Sequence, residues 1–392
     1  MYDCLIIMNK MKYILALIIM PLYFTVTGAE SKDSQPTVRR EVLQSKTNKS
    51  QIDILAKIDI TSSSILEPIF SNNRIFVADR SGVIACYDIL GNQIWKNDSL
   101  GELVSIPLIV DNYLISGTAV GDINEVKSIS GELVQSVGTD DPVTTGINYT
   151  DYSGSNELVM PKATNSKAAI VLGTASGKIF CYDVETLQEY WHNTDARKRI
   201  RFNPVITGTN ILFSCMDGYI YCIESGNGLL IWRWKESAER GFYNALILTD
   251  GKYLYAVSSD NILYCIDLLL GKLVWKSKEN NIFPSIAFSK DMKNIIAETK
   301  GKKIVSFSAE KGKIVKEIYL SAEFDSTSIP VIDIGKGLLY CYQGNIFITN
   351  NNGTEENIYN FGDSRIISNM RIDGKRFMAA SSKGTIIIFG VR

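Results

Sequence analysis

Residues 211–232, ILFSCMDGYIYCIESGNGLLIW, hold one copy of a unit that the chain repeats. Ile211, Leu212, Phe213 and Ser214 make a short apolar run. Asp217-Gly218 reads as a two-residue hairpin turn, in which Gly supplies the required positive φ without steric cost. Ile220, Tyr221, Cys222 and Ile223 form a second run. Ser225 through Gly228 turn the chain again, and Leu229 leads a third strand out to Trp232. Upstream, Pro204 heads an incoming strand through Val205 and Ile206, a place where a residue without an N–H is tolerated. Four short antiparallel strands per unit is the pattern of a propeller blade.

The first turn recurs at Gly82, Gly121, Gly177, Gly218, Asn261, Gly301, Gly344 and Gly384, mostly about 40 residues apart, the spacing of a four-stranded blade. Pro68, Pro107, Pro161, Pro204, Pro284 and Pro330 each stand a similar distance ahead of such a turn. The second turn and outgoing strand recur as YDILGNQIW with Gly91 and Trp95, YDVETLQEYW with Trp191, IESGNGLLIW with Gly228 and Trp232, and IDLLLGKLVW with Gly271 and Trp275. Weaker copies are KSISGELVQ, FSAEKGKIVK and ITNNNGTEEN. The chain ends on the strand TIIIF without a fourth partner, and QIDILAKIDI at 51–60 precedes the first full unit. The expected fold is therefore all-β: an eight-bladed β-propeller of four-stranded antiparallel blades over 51–392, closed by the N-terminal strand. Closure removes the open sheet edges that invite aggregation. The long gap between Gly121 and Gly177 places an insertion at about 138–166, ahead of blade 3, and long loops in regular arrays tend to carry function.

Lys10 and Lys12, the apolar run 13–26 and the small residues Thr27, Gly28 and Ala29 form the pattern of a secretory signal, expected to be cleaved after Ala29. Met8 or Met11 would make a more conventional start than Met1. Residues 30–50 are polar and charged and read as a flexible linker. The chain is therefore expected to be exported. A net charge of −1 gives no whole-chain case for nucleic acid. Beyond the signal lie Cys86, Cys181, Cys215, Cys222, Cys265 and Cys341. Four of them share one repeat position, which neighbouring blades hold too far apart for a disulfide. Cys222 falls opposite Phe213 in a two-residue-turn register. The cysteines read as small buried hydrophobes.

His192 is the single histidine, so a His-based triad or a His-rich metal site is excluded. No GxGxxG or GxxxxGK[ST] occurs. No catalytic residue, cofactor or metal site is expected; Asp140-Asp141 reads as part of a solvated loop. One charge cluster stands out: Arg197, Lys198, Arg199 and Arg201 lead into blade 4, with Arg199 and Arg201 on one face of an extended segment. It reads as a recognition patch for an acidic partner or as a solvated connection. Trp234 reads as outer packing or an exposed anchor.

The repeat around Gly271 and Trp275, with its siblings, resembles the quinoprotein-type propeller motif, A-x-D-x-x-T-G-x-x-x-W, in which the tryptophan docks on the neighbouring blade. One histidine and no Trp-Asp dipeptide argue against the WD40 repeat. Among quinoprotein-like propellers, residues 51–392 resemble the BamB-type outer-membrane assembly family. The resemblance implies a non-enzymatic periplasmic scaffold, peripheral to the inner face of the outer membrane and a monomer within a complex. Such a scaffold binds the periplasmic domains of a BamA-like barrel-forming subunit through a loop before blade 3 and the lead-in to blade 4. The nearest residues here are Leu158, Val159, Met160 and Lys162 for the loop, and Arg199 and Arg201 for the lead-in. The family has an acidic pair where Arg199 and Arg201 stand, and commonly a lipid-anchored Cys that finds no match after the apolar run. Two other readings stay open: a quinone-cofactor-dependent dehydrogenase-like propeller, and a different cell-envelope adaptor.

Overall fold

A strand covered on both faces must be apolar along its length, and the middle strands of each unit satisfy that demand. In blade 4, the strands Asn210–Ser214 and Ile220–Glu224 send Ile211, Phe213, Tyr221 and Ile223 toward blade 3, and Leu212, Ile220 and Cys222 toward blade 5. This is the two-residue period of a strand with a sheet packed on either side. The computed structural model describes residues 52–60, 65–152, 167–237, 240–243, 245–321, 331–350, 353–362, 366–371 and 375–391.

Eight four-stranded antiparallel sheets follow one another along the chain. Each pair of consecutive blades encloses its own apolar cluster, from blades 1 and 2 (Phe76 and Ile84 with Leu114 and Val126) onward. The last seam sets Met378, Ala380 and Ile386 of blade 8 against Ile75, Val77 and Tyr87 of blade 1, so the sheets close into a ring. The first strand of each blade is innermost; those of blades 2, 3, 4 and 5 touch in succession. The fourth strands are outermost, and their side chains are largely exposed, as in Leu230–Trp234 and Lys272–Lys276.

Blade 8 takes its outermost strand from the N-terminal side of the chain. Ile52–Asp59 pairs antiparallel with Thr385–Val391, from Ile52 opposite Val391 to Asp59 opposite Thr385. Ile58 is fully buried in the seam with blade 1, and Ile52 is buried in the seam with blade 7.

Two expectations about turns change. The Asp217-Gly218 hairpin is not a two-residue loop. Cys215 and Tyr219 close it, with Cys215 N–H donating to Tyr219 O at 3.0 Å and Gly218 N–H to Cys215 O at 2.9 Å. Met216, Asp217 and a left-handed Gly218 (φ 91°) therefore make a three-residue loop, a type I turn followed by a bulge. The register shifts by one residue: Tyr221 lies opposite Phe213, and Cys222 opposite Leu212. Blade 7 does hold a two-residue loop, Gln343-Gly344, with positive φ at both positions. The insertion also moves. Val143 bridges Thr174 as Ile200 bridges Cys215, so 142–147 is the ordinary lead-in of blade 3, and Asn148–Tyr152 is its first strand. The extra residues, 153–166, join that strand to Lys167–Gly173 inside the blade. Ile147, not Pro161, stands where Pro204 stands in blade 4; Pro161 lies outside the described residues.

Several turns between third and fourth strands begin with an aspartate. Asp183 accepts hydrogen bonds from the N–H groups of Glu185 (3.0 Å) and Thr186 (2.8 Å), the Thr186 hydroxyl (2.9 Å) and the Tyr190 hydroxyl. Burial pushes its carboxyl up, but these donors hold it below its ordinary value. A folded value below the unfolded one adds stability above the unfolded value, which is lost as pH falls through the folded one. Asp183→Asn is expected to cost about 1–2 kcal/mol near neutral pH. Denaturant melts at descending pH should show that penalty shrinking once the medium is more acidic than the ordinary carboxylate range; a pH-independent penalty would contradict the assignment.

Candidate partner-binding edge

The meander gives the ring two unlike sides. The lead-in segments and the hairpins between second and third strands share one, here called the lead-in side. The hairpins between first and second strands, and between third and fourth, share the other, the far side.

Residues 194–204 run along the lead-in side of blade 4. The backbone is fixed at several points. Met216 N–H donates to Arg199 O at 3.0 Å, Arg197 N–H to an Asp217 carboxylate oxygen at 3.4 Å, and the Cys215 thiol to Lys198 O at 3.0 Å. Burial pushes that thiol up to about 11, which leaves it protonated at neutral pH and a weak nucleophile. Blade 3 holds the segment from the other flank. Thr144 donates its hydroxyl to Ile200 O at 2.6 Å, Gly146 N–H donates to Asn203 Oδ1 at 2.6 Å, and the Asn148 amide donates to Pro204 O.

Alternation does the rest. Ile200 is fully buried and bridges Cys215, while Arg199 and Arg201 on either side of it are exposed, as are Arg197 and Lys198. A fixed backbone thus carries four cations outward, and such preorganisation lowers the entropy lost on meeting a partner. Asp195 and Asp217 are the nearby acids in sequence, and each is engaged locally: Asn193 Nδ2 donates to Asp195 at 2.6 Å, and the Tyr221 hydroxyl to Asp217 at 2.6 Å.

The same side of blade 4 holds groups that sequence reasoning did not single out. The Tyr219 ring lies 4.9 Å from the Arg233 guanidinium carbon and 4.2 Å from Lys235 Nζ. The signal was present in WRWK: Arg233 and Lys235 flank Trp234, so a strand turns them to the face opposite that indole. Trp234 itself is half-buried against Phe242 and Tyr264, at 5.6 and 5.8 Å between ring centroids, and packs the outer wall. His192 lies in the strand Glu189–Asn193, exposed, with Nδ1 2.6 Å from Glu189 Oε1.

Leu158, Val159, Met160 and Lys162 lie outside the described residues. Tyr152 and Lys167, which bracket their segment, pair at the far-side end of blade 3. The structure therefore does not bring the anchors of that segment together with Arg199 and Arg201, which stand at the opposite ends of the strands. All six cysteines in the described residues are free and buried. Among the described residues no three His, Cys, Asp or Glu side chains cluster as a metal site.

The repeat tryptophans join the blades. Trp95, Trp191, Trp232 and Trp275 donate their indole N–H to Ser128 O (2.9 Å), Ser225 O (3.1 Å), Leu268 O (2.9 Å) and Ala309 O (3.0 Å) of the following blade. The rings lie over Gly131, Gly228, Gly271 and Gly312, where any Cβ would come within 2.3 to 2.6 Å of a ring carbon. All four glycines have positive φ.

Fold and repeat together define an eight-bladed propeller of linked Trp–Gly repeats with a preorganised basic edge. The sequence profile of the family described as outer membrane protein assembly factor BamB matches residues 36–277. The chain belongs to this family. A curated relative, the outer membrane protein assembly factor BamB of Shewanella oneidensis, is 23% identical over 210 residues, covering 49% of this chain and 49% of its own length. The match thus spans about half of that relative. The crystal structure of BamB from Moraxella catarrhalis superimposes with a TM-score of 0.67 at 17% identity, covering 86% of this chain and 97% of the other. Sqt1 of Saccharomyces cerevisiae superimposes with a TM-score of 0.69 at 11% identity, covering 86% and 99%. The computationally designed protein Ika8 gives 0.68 at 16% identity, covering 85% and 98%. Backbone likeness at these identities establishes the fold alone, since one ring serves differently named proteins.

Proposed function

We propose that this protein is a non-enzymatic scaffold of outer-membrane β-barrel protein assembly. It is exported by a cleaved signal peptide at 1–29, carries a linker at 30–50 and acts in the periplasm at the inner face of the outer membrane. Its partner is the periplasmic part of a BamA-like barrel-forming subunit, which it meets through the lead-in side of blades 3 and 4. The observation that carries this reading is the outward row of Arg197, Lys198, Arg199 and Arg201 on a backbone pinned from both flanks, in a chain of the BamB family. The basic pair calls for an acidic partner surface. Leu158, Val159, Met160 and Lys162 belong to the proposal as a second contact with the same partner.

The test is capture from detergent-solubilised envelope with the tagged full chain. Recovery of the barrel-forming subunit is expected, and Arg199→Glu with Arg201→Glu should reduce it about tenfold or more, with a steep salt dependence in the wild type. Recovery of no assembly subunit would sink the function. Undiminished recovery by the double variant would move the contact elsewhere and leave the function standing.

A further inference from the structure

Exposed aliphatic side chains are distributed unevenly between the hairpins of the two sides. On the far side, Leu90, Ile129, Leu229, Leu269, Leu270 and Met292 all stand exposed in hairpins. Among the described residues the lead-in-side hairpins between second and third strands expose one large aliphatic side chain, Val120. Leu269 is 83% exposed and Leu270 59%, at the tip of a turn whose preceding Leu268 is buried in the seam between blades 4 and 5. Leu268 anchors the tip, and the next two leucines project from it.

The charge around this tip has one sign in excess. Lys252, Lys272, Lys290, Lys293, Lys311 and Lys313 are exposed on the far-side turns and strand ends of blades 5 and 6. The acids there are Asp250, Asp267, Asp291 and Glu310. The three aspartates are turned back onto their own turns: Asp250 accepts from Lys252 N–H (2.9 Å) and Tyr253 N–H (2.7 Å), Asp267 from Leu270 N–H (2.8 Å), and Asp291 from Lys293 N–H (3.1 Å). Lysines therefore outnumber acids on these turns of blades 5 and 6, and three of the four carboxylates accept backbone hydrogen bonds within their own turns. An exposed aliphatic tip on the same side of the same two blades as several exposed lysines has the chemistry of an interfacial anchor: apolar groups enter the headgroup layer, and ammonium groups meet lipid phosphates.

We propose that the far side of blades 5 and 6 docks on an anionic phospholipid bilayer, with Leu269 and Leu270 entering the headgroup layer and the lysines of the same side meeting the phosphates. This goes beyond the protein contact at Arg199 and Arg201, which lies on the lead-in side and so points away from the lipid in this orientation.

Co-sedimentation of the full chain tests it, using vesicles of phosphatidylglycerol in phosphatidylcholine and of phosphatidylcholine alone. Binding is expected to the anionic vesicles and to weaken with salt. Leu269→Asp with Leu270→Asp should lower it about tenfold or more, and Lys311→Glu with Lys313→Glu to a similar extent. Val120→Asp, on the other side, should leave it unchanged. Both leucines are exposed, so these variants should fold, which their melting curves check. Absence of wild-type binding, or binding that persists in the Leu269→Asp, Leu270→Asp variant and so resides elsewhere in the chain, would overturn the proposal. So would binding lost equally by Val120→Asp.

Discussion

Ile58→Asp is expected to destabilise the protein by about 4 kcal/mol or more, while Leu55→Asp in the same strand costs little. Both residues lie in Ile52–Asp59, which closes blade 8. Ile58 is fully buried among Ile75, Val77 and Ile388, at the seam where the last blade meets the first. A carboxylate there loses the isoleucine's apolar burial and must either shed water without a partner or pull the strand out. Leu55 stands at the bulge between Ile54 and Ala56 and is 49% exposed, so a charge there stays in water. The strand is also tied at its end, where Ile60 N–H donates to Gly384 O at 2.9 Å and the Thr385 hydroxyl to Asp59 at 2.8 Å. If the strand leaves, Thr385–Val391 becomes an open edge of apolar residues, ready to pair with another chain. Denaturant melts with size-exclusion chromatography should show early unfolding and soluble aggregates for Ile58→Asp alone. Equal stability of the two variants would show that the closure contributes little.

That closure was legible because counting strands leaves the C-terminal unit one short, and only 51–60 can supply the missing member. The ring was legible for a similar reason: the turn positions recur mostly at one spacing, and seven of the eight do have positive φ, whereas in blade 6 Lys302 takes that conformation in place of Gly301. What the sequence misled on was also local. Gly218 marks a left-handed residue in two- and three-residue loops alike, so the letters Asp-Gly do not fix the register; the pairing of Phe213 with Tyr221 does. Pro161 imitated the proline at a strand head, whereas blade 3 begins its first strand after Ile147 and is recognisable only from the Val143–Thr174 bridge. At the candidate edge, Arg199 and Arg201 were readable from charge and alternation. The Tyr219 ring was not, because it stands in the hairpin between second and third strands and meets Arg233 and Lys235 only through the pairing of the outer strand, which the letters do not fix.

The seams between blades give the other large effect. Gly131→Ala is expected to cost about 3 kcal/mol. Gly131 has φ 73°, which a Cβ tolerates at a cost of about 1–2 kcal/mol. Its Cβ would also lie 2.3 Å from Trp95 Cε3, so the indole must move. Trp95 is 8% exposed and packs on Phe76 of its own blade, with ring centroids 6.1 Å apart. Displacement pulls its N–H from Ser128 O and disturbs Asn97, whose amide donates to Gly131 O at 2.7 Å. Gly208 supplies the comparison: φ is 56°, and a Cβ there meets nothing within 4 Å. Gly208→Ala should therefore show the backbone cost alone, about 1 kcal/mol. Trp95→Ala removes the ring and should itself cost about 3–5 kcal/mol. In that background Gly131→Ala should fall to the Gly208→Ala level, a coupling of about 2 kcal/mol in a double-mutant cycle. Additive losses would mean that indole and glycine do not act as one contact. The blades would then be held by their apolar seams alone, and the Trp–Gly repeat would be a mark of ancestry without a share in stability.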